Sequence, residues 1–328
     1  MSRIITTATP QRISLAGGGT DINYFYEKHG GVVLSATIDK FIYVTVKEHH
    51  ELFQEKYRLN YSITEHENNL DDIKNEIARE CIRFLNITES LYISTTSDLP
   101  ASSGLASSSC FAVGLLNALH CFRGDHVSIA QIAEEACKIE IDVLKKPIGK
   151  QDQYAAAFGG ANYFNFNSNG KVSIEPIVSK NIETIFSNSI LFYTNIQRSA
   201  DEILSNQKEN FNTKENSLLK IKDIASTFYN ALSKTDFSLN EIGDLLNKNW
   251  LSKRELSTKI SNDFIDELYE RSLFYGALGG KILGAGGGGF LYLVAKNEHH
   301  ELIKSKIPEL KSVNFRFEPI GTRILINQ

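Results

Sequence analysis

The stretch Asp98-Leu-Pro-Ala-Ser-Ser-Gly-Leu-Ala-Ser-Ser-Ser109 lies between an alternating apolar run, Leu91–Thr95, and an apolar segment, Phe111–His120. This order predicts a strand, a loop of small residues and a helix. Gly104 can adopt backbone angles that are closed to other residues, and the serines supply hydroxyl groups without bulk. A helix that begins here directs its free N–H groups and its positive dipole end into the loop. The stretch therefore predicts a phosphate-binding loop.

Two other interpretations of this loop fit less well. A P-loop needs Gly-x-x-x-x-Gly-Lys-Ser/Thr, and the sequence has no lysine near Gly104. A flexible linker of the same composition seldom runs directly from a strand into an apolar helix. Phosphate would therefore be bound by backbone and hydroxyl groups, and the cations would come from elsewhere in the chain.

Composition and charge exclude several classes of function. The chain has 328 residues, of which 42% are hydrophobic, which suffices for one large domain or two of ordinary size. With a net charge of −4, the chain lacks the excess of positive charge that is typical of proteins that bind nucleic acid or an anionic membrane. No apolar run reaches the ~18 residues of a membrane span, and the N-terminal residues lack the apolar segment of a signal peptide. We expect a cytoplasmic protein that binds neither nucleic acid nor membrane.

The cysteines and histidines do not form a metal-binding pattern. The cysteines are Cys81, Cys110, Cys121 and Cys137, and no two of them form a Cys-x-x-Cys pair. We expect reduced side chains in the core of a cytosolic protein.

A second glycine-rich turn lies near the N-terminus, in Pro10-Gln-Arg-Ile-Ser-Leu-Ala-Gly-Gly-Gly-Thr-Asp21. Three consecutive glycines indicate a sharp bend or the close approach of another group. Arg12 precedes the turn on a predicted strand, and Asp21 follows it. Without context, such a pair is more often a surface ion pair than a site.

A third segment, Pro147-Ile-Gly-Lys-Gln-Asp-Gln153, places a carboxylate directly before a small-residue helical turn. Asp152 can cap that short helix, and this role is compatible with a catalytic one. Upstream, Ser128-Ile-Ala-Gln131 matches a capping box and predicts a helix that continues to Leu144. Glu140, near the end of that helix, is either a solvated charge or a ligand.

The last motif is Gly279-Gly-Lys-Ile-Leu-Gly-Ala-Gly-Gly-Gly-Gly-Phe290, which contains a literal Gly-x-Gly-x-x-Gly. A dinucleotide-binding fold needs a strand before this pattern and a helix after it. The sequence instead predicts a helix before it, Asp263–Leu278, and a strand after it, Phe290–Ala295. An NAD-dependent oxidoreductase is therefore disfavoured.

Together these segments resemble the GHMP family of small-molecule kinases, which includes galactokinase, homoserine kinase, mevalonate kinase and phosphomevalonate kinase. The N-terminal turn resembles the family's first motif, the serine stretch its second and the last glycine run its third, in the family's order. The resemblance implies the two-domain GHMP kinase fold of class α+β. Its N-terminal half resembles a ribosomal-protein fold, and its C-terminal half is ferredoxin-like. We place the domains at 1–175 and 176–328, because Asn, Ser and Lys become frequent from about Asn165.

The resemblance also implies roles for single residues in an ATP-dependent kinase that uses Mg²⁺. Asp152 would be the catalytic base or orienting carboxylate, paired with Arg12. Mg²⁺ would be bound by Ser108 and Glu140, with Asp142 as the substitute for Glu140. The nucleotide would be bound by Pro100, Ser102, Ser103, Gly104, Leu105, Ala106, Ser107, Ser108, Ser109, Gly286 and Gly287. The sugar would be bound by Gly18, Gly19, Thr20 and Asp21, with Arg198 and Ser199 for an anionic group.

Within the family, the segments resemble the bacterial D-glycero-D-manno-heptose 7-phosphate kinase group. Galactokinases have Gly-Glu-His-Thr-Asp at the first turn, where this chain has Gly17-Gly-Gly-Thr-Asp21. The resemblance implies phosphorylation of heptose 7-phosphate at the anomeric hydroxyl to the 1,7-bisphosphate, for nucleotide-activated heptose and surface polysaccharide. Lys150 and Lys40 are the alternatives to Arg198 as the cation that binds the 7-phosphate. The alternatives are another sugar 1-kinase, for fucose or a uronate, and a catalytically silent sugar-binding relative; a homodimer is left open.

Overall fold

The structure, a computed structural model, describes residues 3–101, 103–196 and 200–328. The first half of the chain contains these elements: β1 Ile4–Ala16, α1 Asn23–His29, β2 Gly31–Glu48, β3 Tyr57–Asn60, β4 Thr64–Glu67, α2 Glu76–Phe84, β5 Leu91–Ser97, α3 Ser107–Arg123, α4 Ile129–Cys137, α5 Gln151–Phe158, β6 Ala161–Phe166 and β7 Val172–Pro176. The second half contains α6 Lys180–Ser187, β8 Ser189–Tyr193, α7 Ala200–Glu209, α8 Phe211–Leu232, α9 Leu239–Arg254, α10 Asp263–Phe274, β9 Ala277–Ile282, β10 Phe290–Ala295, α11 Asn297–Lys306, β11 Lys311–Val313 and β12 Arg323–Asn327.

The larger sheet is built around the long strand β2. Its order is β12-β1-β2-β5-β3-β4, and β6 and β7 extend it beside the first part of β2. The sequence predicts two strands here, Val32–Ile38 and Phe41–Lys47, but they form one strand. The pairing with β1 shifts where Pro10 lies opposite Phe41 and Gln11 opposite Ile38. This bulge bends the strand without ending it.

The smaller sheet has the order β11-β8-β10-β9, and its strands pair in antiparallel fashion. The last strand of the chain, β12, returns to the larger sheet and pairs with β1. The predicted boundary near residue 175 falls at the end of β7, which closes at Pro176. The boundary itself stays a prediction.

An apolar cluster lies between the two sheets and joins them. It contains Ile13 and Leu15 of β1 together with Phe290 and Tyr292 of β10, all fully buried. Leu105, from the loop before α3, is buried in the same cluster. Burial of this apolar surface fixes β1, the loop and β10 relative to one another.

The helix predicted to run to Leu144 changes its geometry partway. Ser128 caps α4, because its side chain accepts a hydrogen bond from the backbone N–H of Gln131. After Cys137 the turns widen into a π-helix, Lys138–Val143. Such wide turns are frequent at functional sites. Here the π-helix contains Glu140, which is buried and not solvated.

Two predicted helices are shorter than expected. The amphipathic pattern of Asp71–Leu85 predicts a helix over that range, but α2 begins at Glu76, because Asn75 caps it by accepting the Ala78 N–H at 3.0 Å. The helix predicted over Asp263–Leu278 ends at Phe274, and the chain turns at Gly276 into β9. The prediction that a helix directly precedes the glycine run was therefore wrong. A strand, β10, still follows the run, so the dinucleotide-binding interpretation fails as before.

The residue types of Asn314–Ile326 predict a strand over that range, but this is wrong in extent, because β12 begins at Arg323. Pro319 lacks an N–H for a sheet ladder. Gly321 packs so tightly on α5 that a methyl group there would lie 2.0 Å from the carbonyl oxygen of Ala157. The segment therefore forms an antiparallel bridge to β2 at Phe317 and Ile38, and then packs on α5 before β12 begins.

Two other expectations about the chain can be compared with the described ranges. The four cysteines are free thiols, three of them buried and Cys121 half-buried. Within those ranges, none of the helices is long and apolar enough to cross a bilayer.

Candidate active site

A cleft of about 690 Å³ is lined by residues of both sheets. Its walls come from the N-terminal turn (17–21), the serine loop (98–106), the start of α3, the segment before α5, the start of α7 and the glycine loop (283–289). Three of these segments are the glycine- and serine-rich stretches singled out in the sequence. The fold therefore brings them together although they lie far apart along the chain.

Arg12 and Asp152 form a two-point ion pair in the cleft. The Nε of Arg12 donates to Oδ1 of Asp152 at 2.8 Å, and its Nη2 donates to Oδ2 at 2.9 Å. The remaining nitrogen, Nη1, donates to the carbonyl oxygen of Gly104 at 2.7 Å. The Arg12 side chain is 5% exposed and that of Asp152 27%. The arginine is thus locked in the wall, while the carboxylate faces the cleft from the first turn of α5.

Asp21 joins the N-terminal turn to the segment that carries Asp152. Its Oδ1 accepts the backbone N–H of Gly19 and its Oδ2 that of Gln151, both at 3.0 Å. A methyl group at Gly149 would lie 1.9 Å from Oδ2 of Asp21, so only glycine fits there. Burial raises the pKa of Asp21; the charge of Asp152 raises it further, and the backbone hydrogen bonds oppose the shift.

Thr20 stabilises the N-terminal turn from its buried side. It is fully buried, and its hydroxyl lies 2.8 Å from the carbonyl oxygens of Gly17 and Val32. Gly18 and Gly19 line the cleft together with Asp21. The side of the turn that a substrate can reach therefore consists of glycine backbone and one carboxylate.

The serine loop and the glycine loop are in contact through their backbones. Gly104 has a φ of +86°, and a methyl group there would lie 2.6 Å from the carbonyl oxygen of Leu283. A methyl group at Gly284 would lie 2.5 Å from the Cα of Gly104. Both glycines are therefore needed for the packing of one loop on the other. The sequence interpretation considered only the approach of phosphate.

Ser108 lines the cleft, and Glu140 lies fully buried behind it. The Ser108 hydroxyl, in the first turn of α3, donates to Oε1 of Glu140. Gln153 donates to the other carboxylate oxygen at 2.7 Å. Burial raises the pKa of Glu140, and these hydrogen bonds oppose the shift. Asp142 is exposed and is not part of this arrangement.

Comparison with known proteins identifies the family. The family model described as the GHMP kinases N terminal domain matches residues 73–160, and that of the GHMP kinases C terminal matches residues 230–311. A D-glycero-alpha-D-manno-heptose 7-phosphate kinase of Campylobacter jejuni is 33% identical over 98% of each chain. The chain belongs to the GHMP kinase family. The resemblance inferred from the motifs is thereby confirmed, and with it the fold class.

Two further matches extend over most of the GHMP kinase chain. The crystal structure of a D-glycero-D-manno-heptose 1-phosphate kinase from Bacteroides thetaiotaomicron has a TM-score of 0.80 and 26% identity, over 98% of this chain and 99% of that one. A galactokinase of Pyrococcus furiosus is 25% identical over 90% of each chain. The kinase fold thus accounts for the whole chain.

Some predicted nucleotide contacts of the GHMP kinase lie behind the cleft wall. Gly286 packs on the chain at Ile260, where a methyl group would lie 2.6 Å from Ile260 Cγ2, and Gly287 donates its N–H to the Ile260 carbonyl. The part of the glycine loop that lines the cleft is Gly284 with Ala285. The remaining predicted contacts divide as follows: Ser103, Gly104, Ala106, Ser107, Ser108 and Ser109 line the cleft, Pro100 is exposed and Leu105 is buried in the core.

Of the residues predicted to bind a substrate phosphate, the described ones, Lys40 and Lys150, do not line the cleft. Arg198 and Ser199, and also Ser102 of the serine loop, lie outside the described residues. Lys40 pairs with Asp39 at 3.2 Å. Lys150 donates to the carbonyl oxygen of Gly170 at 2.7 Å, away from the cleft.

Several residues of the cleft wall were not found from the sequence. Three are lysines, Lys146, Lys253 and Lys281, and another is Tyr61. Lys281 stands in an otherwise apolar or glycine strand, Ala277–Ile282. A lysine in such a strand beside a glycine loop is the signal that could have identified it.

Proposed function

We propose that this GHMP kinase transfers the terminal phosphoryl group of ATP to the anomeric hydroxyl of D-glycero-D-manno-heptose 7-phosphate, giving the 1,7-bisphosphate. The observation that carries the proposal is the position of Arg12, which bonds both the carboxylate of Asp152 and the carbonyl of Gly104. One side chain thus connects the candidate base to the candidate phosphate loop. The product would serve nucleotide-activated heptose and surface polysaccharide synthesis in the cytoplasm.

Phosphoryl transfer needs positioning and charge stabilisation more than covalent chemistry. Asp152 would orient the sugar hydroxyl and accept its proton. Arg12 would hold both carboxylate oxygens in place and stabilise negative charge on the transferred group. The two-point geometry supports this role, because it fixes the rotation of the carboxylate.

The nucleotide phosphates would lie at the start of α3, where backbone N–H groups are free to bind anions. Three buried polar atoms of the wall, Ser14 Oγ, Ser103 Oγ and Gln151 Nε2, have no hydrogen-bond partner within the described ranges. Buried polar groups without partners are costly. These atoms therefore favour a polar ligand in the cleft, and its volume of about 690 Å³ is adequate for a nucleotide and a sugar.

Ser108 and Glu140 would bind Mg²⁺. Their oxygens are hard donors that already lie in contact, and Glu140 is buried so that a cation would offset its charge. Among the described residues no group of three or more His, Cys, Asp or Glu side chains could hold a metal. Phosphate oxygens and water would therefore complete the shell. When bound, the ion would supply charge neutralisation at the nucleotide phosphates.

The acceptor would lie against the N-terminal turn. Gly18 and Gly19 present no side chains there, and Asp21 is the carboxylate that would accept sugar hydroxyls. The relative from Campylobacter jejuni, named a heptose 7-phosphate kinase, supports a heptose with a terminal phosphate. The protein from Bacteroides thetaiotaomicron carries the name of a heptose 1-phosphate kinase, so the position of the transferred phosphate must be tested.

The test is a phosphoryl-transfer assay of the purified chain with ATP and Mg²⁺ across several acceptors. We expect heptose 7-phosphate to be phosphorylated with the highest kcat/KM, and ³¹P NMR to locate the new phosphate at the anomeric carbon. Unphosphorylated heptose, heptose 1-phosphate, fucose and galactose are the comparison acceptors. Equal efficiency on heptose and heptose 7-phosphate would contradict the phosphosugar assignment, and turnover of no acceptor would favour the silent sugar-binding relative.

A further inference from the structure

Lys281 is a buried cation of the cleft wall that the roles above do not use. It is 1% exposed and stands on β9 directly opposite Tyr292 of β10. Residues opposite each other in an antiparallel pair point to the same face of the sheet. Tyr292 belongs to the apolar cluster between the sheets, so Lys281 also points toward the larger sheet. There it lines the cleft together with Arg12 and Gly104.

The charge of Lys281 is not compensated by any described residue. In the part of the chain that the structure describes, no carboxylate lies within ion-pair distance of its Nζ. Burial and, to a smaller degree, repulsion by Arg12 lower the pKa of Lys281 to about 7. An isolated ammonium group in the interior is costly unless something pairs with it.

The other lysines of the wall differ from Lys281. Lys253 is buried but donates to the carbonyl oxygens of Gly284 and, at 3.4 Å, Ile282, so it supports the glycine loop. Lys146 is only half-buried. The charge of Arg12 is balanced by the two oxygens of Asp152. Lys281 is thus the buried cation of the described cleft wall whose ammonium group still needs a hydrogen-bond partner, which a ligand can supply.

Its place in the wall indicates which ligand fits. Lys281 lies two residues before Leu283, whose carbonyl contacts Gly104 where the serine and glycine loops meet. Arg12, whose guanidinium bonds Gly104, is close enough to act on its charge. The ammonium group therefore lies beside the loop proposed for phosphates and near the arginine that holds the candidate base. A phosphate oxyanion forms a charge-assisted hydrogen bond with such a donor.

We propose that the Lys281 ammonium group binds a phosphate group of the reactants, either the terminal phosphate of the nucleotide or the phosphate of the acceptor sugar. The inference rests on the proposed function only in taking this cleft as the site of phosphoryl transfer. It does not depend on which sugar is the acceptor. The cost of the unpaired ammonium in the free enzyme is relieved when phosphate enters.

Binding measurements by calorimetry test the inference with the full chain. The variants are Lys281→Met, which keeps a long unbranched side chain but removes the charge, and Lys281→Arg, which keeps the charge. Lys47→Met is the matched control, because Lys47 is an exposed strand lysine outside the cleft lining. The ligands are AMP-PNP, ADP, heptose 7-phosphate and unphosphorylated heptose.

We expect Lys281→Met to lose about tenfold or more in affinity for a phosphate ligand, Lys281→Arg to recover part of it, and Lys47→Met to match the wild type. A loss for AMP-PNP larger than that for ADP assigns Lys281 to the terminal nucleotide phosphate. A loss for heptose 7-phosphate but not for heptose assigns it to the acceptor phosphate.

Unchanged affinity of Lys281→Met for AMP-PNP and for heptose 7-phosphate overturns the inference while leaving the proposed function intact. Wild-type protein that binds no nucleotide overturns the proposed function and the inference with it. We expect Lys281→Met to fold, because methionine suits a buried strand position. If it does not fold, Lys281→Gln takes its place in the same measurements, and loss of folding in both variants would mean a structural role and overturn the inference.

Discussion

Arg12 and Asp152 are 140 positions apart, yet they form two hydrogen bonds of 2.8 and 2.9 Å at the wall of the cleft. Arg12 comes from the middle of β1 in the larger sheet, and Asp152 comes from the first turn of α5. Arg12 orients the carboxylate of Asp152 from within the wall, and the exposed part of that carboxylate faces the cleft. This relationship supports the first two predictions.

Replacement of Asp152 by Asn should reduce kcat by at least ~100-fold, the usual scale for a positioned acid–base group. Asn keeps the shape and one hydrogen bond to Arg12 but cannot take the proton, so affinity for ATP should stay near the wild-type value. Steady-state kinetics and nucleotide titration measure both. Asp244→Asn, at an exposed carboxylate of α9, is the control. A variant that keeps more than a third of the wild-type rate would remove Asp152 from the mechanism.

Replacement of Arg12 by Lys should also lower kcat, because an ammonium group cannot hold both carboxylate oxygens and the Gly104 carbonyl in one plane. We expect a loss of about tenfold or more, smaller than the loss in Arg12→Met. Kinetics of the two variants side by side check this order. Equal rates in Arg12→Lys and the wild type would show that charge alone suffices.

Replacement of Gly104 by Ala should weaken AMP-PNP binding by about tenfold or more, since the added methyl group forces the serine loop away from Leu283. Strain at positive φ adds a loss of about 1 kcal/mol in unfolding free energy. Gly170→Ala is the matched control: its φ is +81° in the β6–β7 turn, but a methyl group there would meet no atom closer than Lys150 Nζ at 3.5 Å. Equal nucleotide affinity in both variants would contradict the loop contact.

Removal of a Mg²⁺ ligand should affect the Mg²⁺ concentration that the reaction requires more than it affects the affinity for nucleotide. Ser108→Ala and Glu140→Gln each remove one hard oxygen donor, so we expect the Mg²⁺ concentration for half-maximal rate to rise several-fold, by roughly fivefold or more. Rates measured against Mg²⁺ at saturating ATP give this value. Asp142→Asn, at the exposed carboxylate two residues from Glu140, should leave this Mg²⁺ concentration unchanged. An increase in Asp142→Asn as large as that in Glu140→Gln would contradict the assignment of Glu140 as the Mg²⁺ ligand.

Lys281 should make the stability of the free enzyme depend on pH. Its pKa is about 7 in the folded state and 10.5 when unperturbed, so the unfolded chain binds more protons between these values and stability rises with pH across them. The charged side chains of the neighbouring elements in the cleft wall are Arg12 of β1, Lys253 of α9 and Asp152 of α5. From pH 7 to pH 9, the unfolding free energy of the wild type should rise relative to Lys281→Met by about 1–2 kcal/mol. Urea titrations at both pH values measure it, and parallel curves would contradict the burial of a titrating ammonium.

The sequence located the parts of the site better than their surroundings. The strand before the serine loop and the helix after it were both predicted, and β5 and α3 lie there. The end of the helix before the glycine loop was missed, because Leu278 continues the apolar spacing of α10 although the chain has already turned into β9. Local periodicity cannot distinguish these cases when the strand is short and its burial comes from a distant partner.

Lys281 shows the same limit for the site. Its position in the third motif was visible, but its burial depends on β10 and on the larger sheet. Thr20 and Gly286 show the opposite error: both belong to motifs, and both lie behind the surface that a ligand can reach. A motif specifies which backbone segment is used, whereas packing decides which of its atoms face the cleft.

The sequence by itself determined the family, the order of the three motifs and the residue types of the chemistry, because turns, caps and glycine runs are local properties of the chain. Tertiary structure alone decided that Arg12 meets Asp152, that Gly104 packs on Leu283, and that Lys281 is buried with no carboxylate partner among the described residues. Each of these relationships joins segments more than 100 positions apart or depends on burial between two sheets. Such contacts arise from the packing of the whole apolar core, which no local pattern of residues specifies.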